Sequence, residues 1–410
     1  MSIETGGPRL DDGSITGRQA KVGLIRLAGH VARAACVSAL CFAAVAPRAS
    51  AVEPGRAGEV SPIPVQFIFP PLKPQGTADD ALATGRVVNG HYALTTPASK
   101  PWRIAFLFPH LKDPYWIGCS YGVISEARRL GVAVDILAAD GYNDLVGQLR
   151  KMDESIAARY DAIVISPISL TANNAAIARA RRQGVPVFEL ANDSTSDSLT
   201  VKVTTSLKAM GRSAMEWVIQ DAQKRGLKAI NVALLPGPEG AGWVSGEVAG
   251  SYEAARRAPI KVNILDTLYG DSDLVGQTQL AAELLARHGQ KLDYILGCTG
   301  CAPAAILPVR EAGLSGKVRI VAYDLTRNIA ESIRKGEIAA AADTKGVSQA
   351  RVATNAVVSY LEGRGGKLPH TILIKLGLVD RSNAAGYPFG ASIAPDGYVP
   401  VLSYRPGTAP

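Results

Sequence analysis

Pro109-His110-Leu111-Lys112-Asp113-Pro114-Tyr115-Trp116 sets two adjacent aromatic side chains beside a carboxylate. Such a group can hold a small cation against ring faces, or a polyhydroxylated ligand by stacking and hydrogen bonds. The run follows the apolar, β-prone segment Trp102-Arg103-Ile104-Ala105-Phe106-Leu107-Phe108 and precedes Ile117, Tyr121 and Ile124 at helical spacing. It therefore reads as a strand-to-helix turn, which in an open α/β sheet lies at the edge where ligands bind. The same two aromatics could equally start an amphipathic helix and pack inward.

Asp113, Asp193, Asp324 and Asp343 all fall at the ends of apolar, strand-like runs. One such residue is usually a cap or turn residue, but four suggest carboxylates converging on a cleft. Cys298-Thr299-Gly300-Cys301 lies between a strand-like and a helix-like segment. That is the setting of a thioredoxin-type pair, or of a local disulfide that stiffens a cleft loop. Gly237-Pro238-Glu239-Gly240-Ala241-Gly242 has the context of a dinucleotide loop but reversed spacing, with no Lys-Ser or Lys-Thr after it for a phosphate loop. The histidines are scattered without metal-ligand spacing, and no G-x-S-x-G turn occurs. No enzyme activity, cofactor or metal is expected, and Cys119 reads as a buried free thiol.

The elements that must position these residues alternate. From Trp102, short apolar runs at 102–108, 132–137, 162–166 and 185–190 are separated by amphipathic stretches, and the rhythm repeats through 230–235, 262–265, 294–296 and 318–323. This predicts an α/β protein of two Rossmann-like, doubly wound parallel-sheet lobes. A β-α unit beyond the second lobe sends the chain back, so a multi-strand hinge joins them. The predicted organisation is a signal peptide over 1–51, an N-terminal arm over 52–100, a first lobe of 101–205 plus 344–372, and a second of 206–343 plus 373–410 with the tail. The signal assignment rests on scattered Lys and Arg, the uncharged run Ala34 to Ala46 and Ala49-Ser50-Ala51. It implies a soluble, exported mature protein. Residues 52–100 are rich in Pro, Gly and Ala, and read as an extended arm or a meander of short strands against the first lobe, contributing to a partner surface. The net charge of +8 falls to +5 without residues 1–51, and no basic stripe interleaves with aromatics, so nucleic acid is not an expected partner.

The signal peptide, the two lobes, Asn192-Asp193, Tyr323-Asp324 and Asp343 together resemble the type I periplasmic binding proteins of the ribose-binding class. Pro109 to Trp116, Leu235-Pro236-Gly237-Pro238 with Tyr252-Glu253-Ala254, and Ser403-Tyr404-Arg405-Pro406 are similar to the TorT family of trimethylamine N-oxide receptors within that class. The resemblance implies a periplasmic protein that closes on trimethylamine N-oxide and docks on the sensor domain of a membrane histidine kinase. It carries Asp113, Tyr115 and Trp116 over as ligand residues, and Tyr323 as a further ring of an aromatic cage. The family has aromatics just before the Met-Gly of the crossover helix, whereas Leu207-Lys208-Ala209 precede Met210-Gly211 here. Trp243, on the Gly-rich loop, is the expected replacement. The alternative within the class is a sugar- or polyol-binding component that serves an ABC permease.

Overall fold

A computed structural model describes residues 62–364 and 368–407. The predicted signal peptide and residues 52–61 of the predicted arm lie outside the described residues. The first part of the chain forms β1 (Ile63–Phe69), α1 (Ala78–Thr84), β2 (Arg86–Tyr92), β3 (Arg103–Phe108), α2 (Pro114–Leu130), β4 (Ala133–Ala138) and α3 (Leu145–Ala157). It continues through β5 (Ala162–Ile165), α4 (Asn174–Arg182), β6 (Val187–Leu190) and β7 (Val201–Thr204). The second part runs through α5 (Leu207–Lys224), β8 (Ala229–Gly237), α6 (Val244–Arg257), β9 (Lys261–Tyr269), α7 (Leu274–His288) and β10 (Tyr294–Gly297). It ends with α8 (Cys301–Ala304), α9 (Ile306–Glu311), β11 (Arg319–Ala322), α10 (Arg327–Lys335) and β12 (Ala340–Asp343). After these come α11 (Gly346–Leu361), β13 (Thr371–Ile374), β14 (Gly377–Asp380) and β15 (Ser403–Tyr404).

Two sheets result, with orders β15-β4-β3-β5-β6-β7-β13-β1-β2 and β14-β12-β11-β10-β8-β9. Their centres are parallel, and antiparallel strands lie at the edges. The chain passes between the sheets after β7, β12, β13 and β14, which is the two-lobe, multiply crossed architecture that the alternating pattern predicts. The central strands are buried along their length, as in Ala162-Ile163-Val164-Ile165, because helices cover both faces of a parallel sheet.

Two predicted boundaries differ. Residues 63–92 form the edge of the first sheet, the short-strand alternative and not the extended arm: β1 pairs with β13 on one side and β2 on the other, and Val65 and Ile68 are fully buried. Such a segment is a folding element. The tail also returns to the first sheet, where Ser403 and Tyr404 pair with Asp135 and Val134.

The topology fixes where a ligand can lie. In the first sheet the strand order reverses beside β3, and in the second beside β8. Crevices open at the carboxyl ends of strands at such switch points. The turn after β3 carries 109–113 and the loop after β8 carries 238–243, so the two switch points supply the two walls of one cleft.

Candidate functional site

Asp113 ends the β3–α2 turn and caps α2, its Oδ1 accepting the Tyr115 amide at 2.7 Å; Pro114 follows at the first helical position, where its missing N–H costs nothing. This cap aims the next two rings. Trp116 is buried against Phe108, with centroids 5.1 Å apart, and Tyr115 stands nearly perpendicular to it at 5.1 Å. Each ring therefore packs inward and also borders a cavity.

The cavity lies between the lobes. From the first lobe it is lined by His110, Asp113, Tyr115, Trp116, Tyr142 and Asn192; from the second by Trp243, Glu247, Cys298, Thr299, Tyr323 and Asp324. Thr344 and Gln349 contribute from the return crossover, and Leu207 and Met210 from the outward one.

Trp243 immediately precedes α6 and stacks over Gly237, whose φ of +107° and proximity to the indole exclude a side chain. Across the cleft the Trp243 ring meets Tyr142 at 5.8 Å, and Tyr142 meets His110 at 5.5 Å. Asn192 donates to the Tyr142 hydroxyl at 3.2 Å and the Pro167 carbonyl at 2.9 Å, which orients the phenol. Tyr323 is buried, and its hydroxyl shares a hydrogen bond with Ser251 at 3.0 Å. Five aromatic rings therefore surround the space.

The polar frame is acidic. Asp324 accepts from the Leu325 and Thr344 amides, each at 2.8 Å, and from the Thr344 hydroxyl at 2.5 Å. Burial, reinforced by nearby Asp343, still pushes its carboxyl up to about 7. Burial pushes Glu247 well above the ordinary carboxylate range, with Asp324 adding to the effect. It also lowers His110, which favours the neutral ring. No Lys or Arg lines the cavity. Asp113 Oδ2 accepts the Thr299 hydroxyl of the second lobe at 2.6 Å, and Asn143 donates across to Asp271 at 3.1 Å, so the lobes are latched over the space.

Seven of the residues singled out in the sequence border the cavity: Asp113, Tyr115, Trp116, Asn192, Trp243, Tyr323 and Asp324. Asp193 and Asp343 do not. Asp193 turns away into a buried ion pair with Lys202 at 2.7 Å and accepts the Ala78 amide at 2.6 Å, so it anchors α1. Asp343 accepts the Tyr387 hydroxyl at 2.7 Å and the Ser392 hydroxyl at 2.6 Å, which fastens the tail to the end of β12. His110, Tyr142, Glu247 and Gln349 were not among the predicted site residues. For Glu247 a signal existed: Trp243, Glu247 and Ser251 recur every four residues, one face of a helix.

Cys298 and Cys301 form a buried disulfide at this wall, and Cys119 is a buried free thiol near the Gly346 carbonyl. So short a ring removes only about 2 kcal/mol of chain entropy. The double variant Cys298→Ser, Cys301→Ser is expected to fold, melt a few degrees lower and bind ligand more weakly; loss of folding in thermal melts would contradict this. Among the described residues no helix is long and apolar enough to cross a membrane, and no cluster of His, Cys, Asp or Glu could hold a metal ion.

The family described as "Periplasmic binding protein domain" matches residues 104–365. The periplasmic protein TorT of Escherichia coli K12 is 27% identical over 336 residues, covering 82% of this chain and 94% of its own. A TorT solved with the TorS sensor domain in the presence of trimethylamine N-oxide is 24% identical, with a TM-score of 0.65 over 73% of this chain and 99% of that one. The D-allose-binding periplasmic protein of E. coli K12 is 27% identical over 257 residues, 60% of this chain and 80% of its own. An ABC transporter solute-binding protein from Bradyrhizobium sp. BTAi1, solved with bound bis-tris, is 32% identical with a TM-score of 0.70, covering 85% of this chain and all of that one.

Proposed function

The chain belongs to the periplasmic binding protein family, and on that premise we propose that it is a periplasmic receptor which closes over a small methylated amine, trimethylamine N-oxide or a relative. It reports the closed state to the sensor domain of a membrane histidine kinase. The observation that carries this reading is the enclosure of a small space by five aromatic rings and three carboxylates with no Lys or Arg. Methyl groups on nitrogen carry positive charge density, and ring faces attract it by roughly 0.5–2 kcal/mol per contact. Likeness to TorT supports the same ligand class and a TorS-type partner.

One alternative has specific support. The D-allose-binding relative is as identical as TorT over a shorter span, and the Bradyrhizobium neighbour holds a polyhydroxylated amine. In that reading the protein delivers a sugar or polyol to an ABC permease. Calorimetry with methylated amines, betaines, pentoses and hexoses separates the two. A methylated amine should bind and, at 100 times its dissociation constant, add about 2.7 kcal/mol of stability. It should also change the affinity for a TorS-type sensor domain, because a signal requires different affinities for free and closed forms. Tight sugar binding with no heat from any methylated amine would favour the importer instead.

A further inference from the structure

Glu247 stands one helical turn beyond Trp243 on α6, so the two side chains share the face that borders the cavity. Its carboxyl is fully buried, and neither oxygen has a hydrogen-bond partner. The other two carboxylates of the cavity are occupied, Asp113 by the Tyr115 amide and the Thr299 hydroxyl, Asp324 by two amides and a hydroxyl. Glu247 also cannot withdraw. α5 and α6 pack so closely that a Cβ at Gly211 would overlap the Glu247 carbonyl, and the same carbonyl accepts the Ser251 hydroxyl at 2.9 Å. Buried polar groups are normally satisfied, and a carboxylate left without a donor inside a ligand cavity is a vacancy for one.

We propose that Glu247 selects for a ligand bearing an N–H on a positively charged nitrogen, a protonated tertiary or secondary methylamine, over an N-oxide or a quaternary ammonium of the same size. The inference rests on the methylated-amine reading and narrows it. A protonated trimethylamine directs its single N–H at the carboxylate while its methyls face the rings. A quaternary ammonium offers charge without a donor. An N-oxide turns an acceptor oxygen toward the site, which only the protonated carboxyl favoured by burial can meet, whereas an N–H cation stabilises the ionised form. The side chain also disfavours the ligand-free fold, because burial and the nearby Asp324 both oppose its ionised form and no donor within the protein compensates it.

The test is calorimetry on the full chain with trimethylammonium, tetramethylammonium and trimethylamine N-oxide, for the wild type and Glu247→Gln, alongside thermal melts without ligand. The wild type should prefer trimethylammonium over the other two by tenfold or more, and Glu247→Gln should abolish that preference while melting higher than the wild type. Equal affinities in the wild type, or a preference that survives the substitution, would overturn the assignment. If Glu247→Gln does not fold, Glu247→Asp retracts the carboxylate by one methylene, and an undiminished preference there would overturn it equally. Tightest binding of the N-oxide by the wild type defeats the role of Glu247 but leaves the methylated-amine receptor standing. Binding of a hexose with none of the three methylated compounds defeats both.

Discussion

Replacing Trp116 by Ala should weaken binding of a methylated amine tenfold or more and destabilise the ligand-free protein by about 3–5 kcal/mol. The two effects have separate origins in one side chain. One part of the indole lies against Phe108 at the centre of the first lobe, and truncation there leaves a hole that the surrounding strands and α2 cannot fill. The other part borders the cavity beside Tyr115, where its loss removes an aromatic face from a cationic ligand. Trp116→Phe should separate them, restoring most of the stability and only part of the affinity. Calorimetry and urea unfolding on the three proteins provide the measurement. Unchanged affinity in Trp116→Ala would place the ligand somewhere other than this cavity.

Lys202→Met should cost a further 3–5 kcal/mol or so, at a site that touches no ligand. Lys202 is a buried lysine in a central strand, paired with Asp193 at 2.7 Å and Glu189 at 3.6 Å, and it also donates to the carbonyls of Gly76 and Ser194. Burial raises Glu189 to about 8 against the opposing pull of Lys202, with Asp193 adding to the rise. An acid raised in the folded state binds more protons there than in the unfolded chain. Its contribution therefore falls as pH rises from the ordinary glutamate value to about 8, and then levels off. Without Lys202 the Glu189 value rises further, so the variant should go on losing stability above pH 8 where the wild type does not. Melting curves at pH 5 and pH 9 test this. A deficit that is equal at both pH values, or absent, would mean the triad is not electrostatically coupled.

Lys202 also shows where the sequence stops being legible. Parallel strands such as Ala162–Ile165 announce themselves as apolar runs, because both faces are covered. Val201-Lys202-Val203-Thr204 is an equally central strand, yet its alternation of apolar and polar residues looks half-exposed until Asp193 and Glu189 are seen beside it. β1 and β2 are legible only as short apolar runs, Val65–Phe69 and Val87-Val88, because Pro64 and Gly90 break strands in isolation but are tolerated in a hairpin at a sheet edge.

The site divides along the same line. The Asp113-Pro114-Tyr115-Trp116 turn is a local structure whose cap and rings are adjacent in the chain, so its chemistry could be read directly. Asp193 and Asp343 looked the same as Asp113 and Asp324, four short carboxylates at strand ends. What separates them is Lys202 in one case and Tyr387 and Ser392 in the other, partners that only the fold brings near. Tyr142 carried no motif, since it follows β4 in an irregular turn and owes its place to the opposing Trp243. Glu247 could be read only through its spacing from Trp243 and Ser251, since a charge on a helix is ordinarily solvated.

The position of β13 governs the order in which this protein can come into being. The strand sits between β7 and β1, so the hairpin of β1 and β2 at the start of the described chain gains its neighbour only when Thr371–Ile374 arrives. Val65 pairs with Ile374, a contact that closes a loop of roughly 300 residues, and such distant pairings slow folding because their entropy is lost before they contribute. During synthesis the first lobe cannot finish ahead of the second, although it begins first. The second lobe depends less on the ends: β8 to β12 form one continuous stretch around β10, and only its edge strand β14 arrives after β13. The lobe that starts the sequence is therefore the last to be completed.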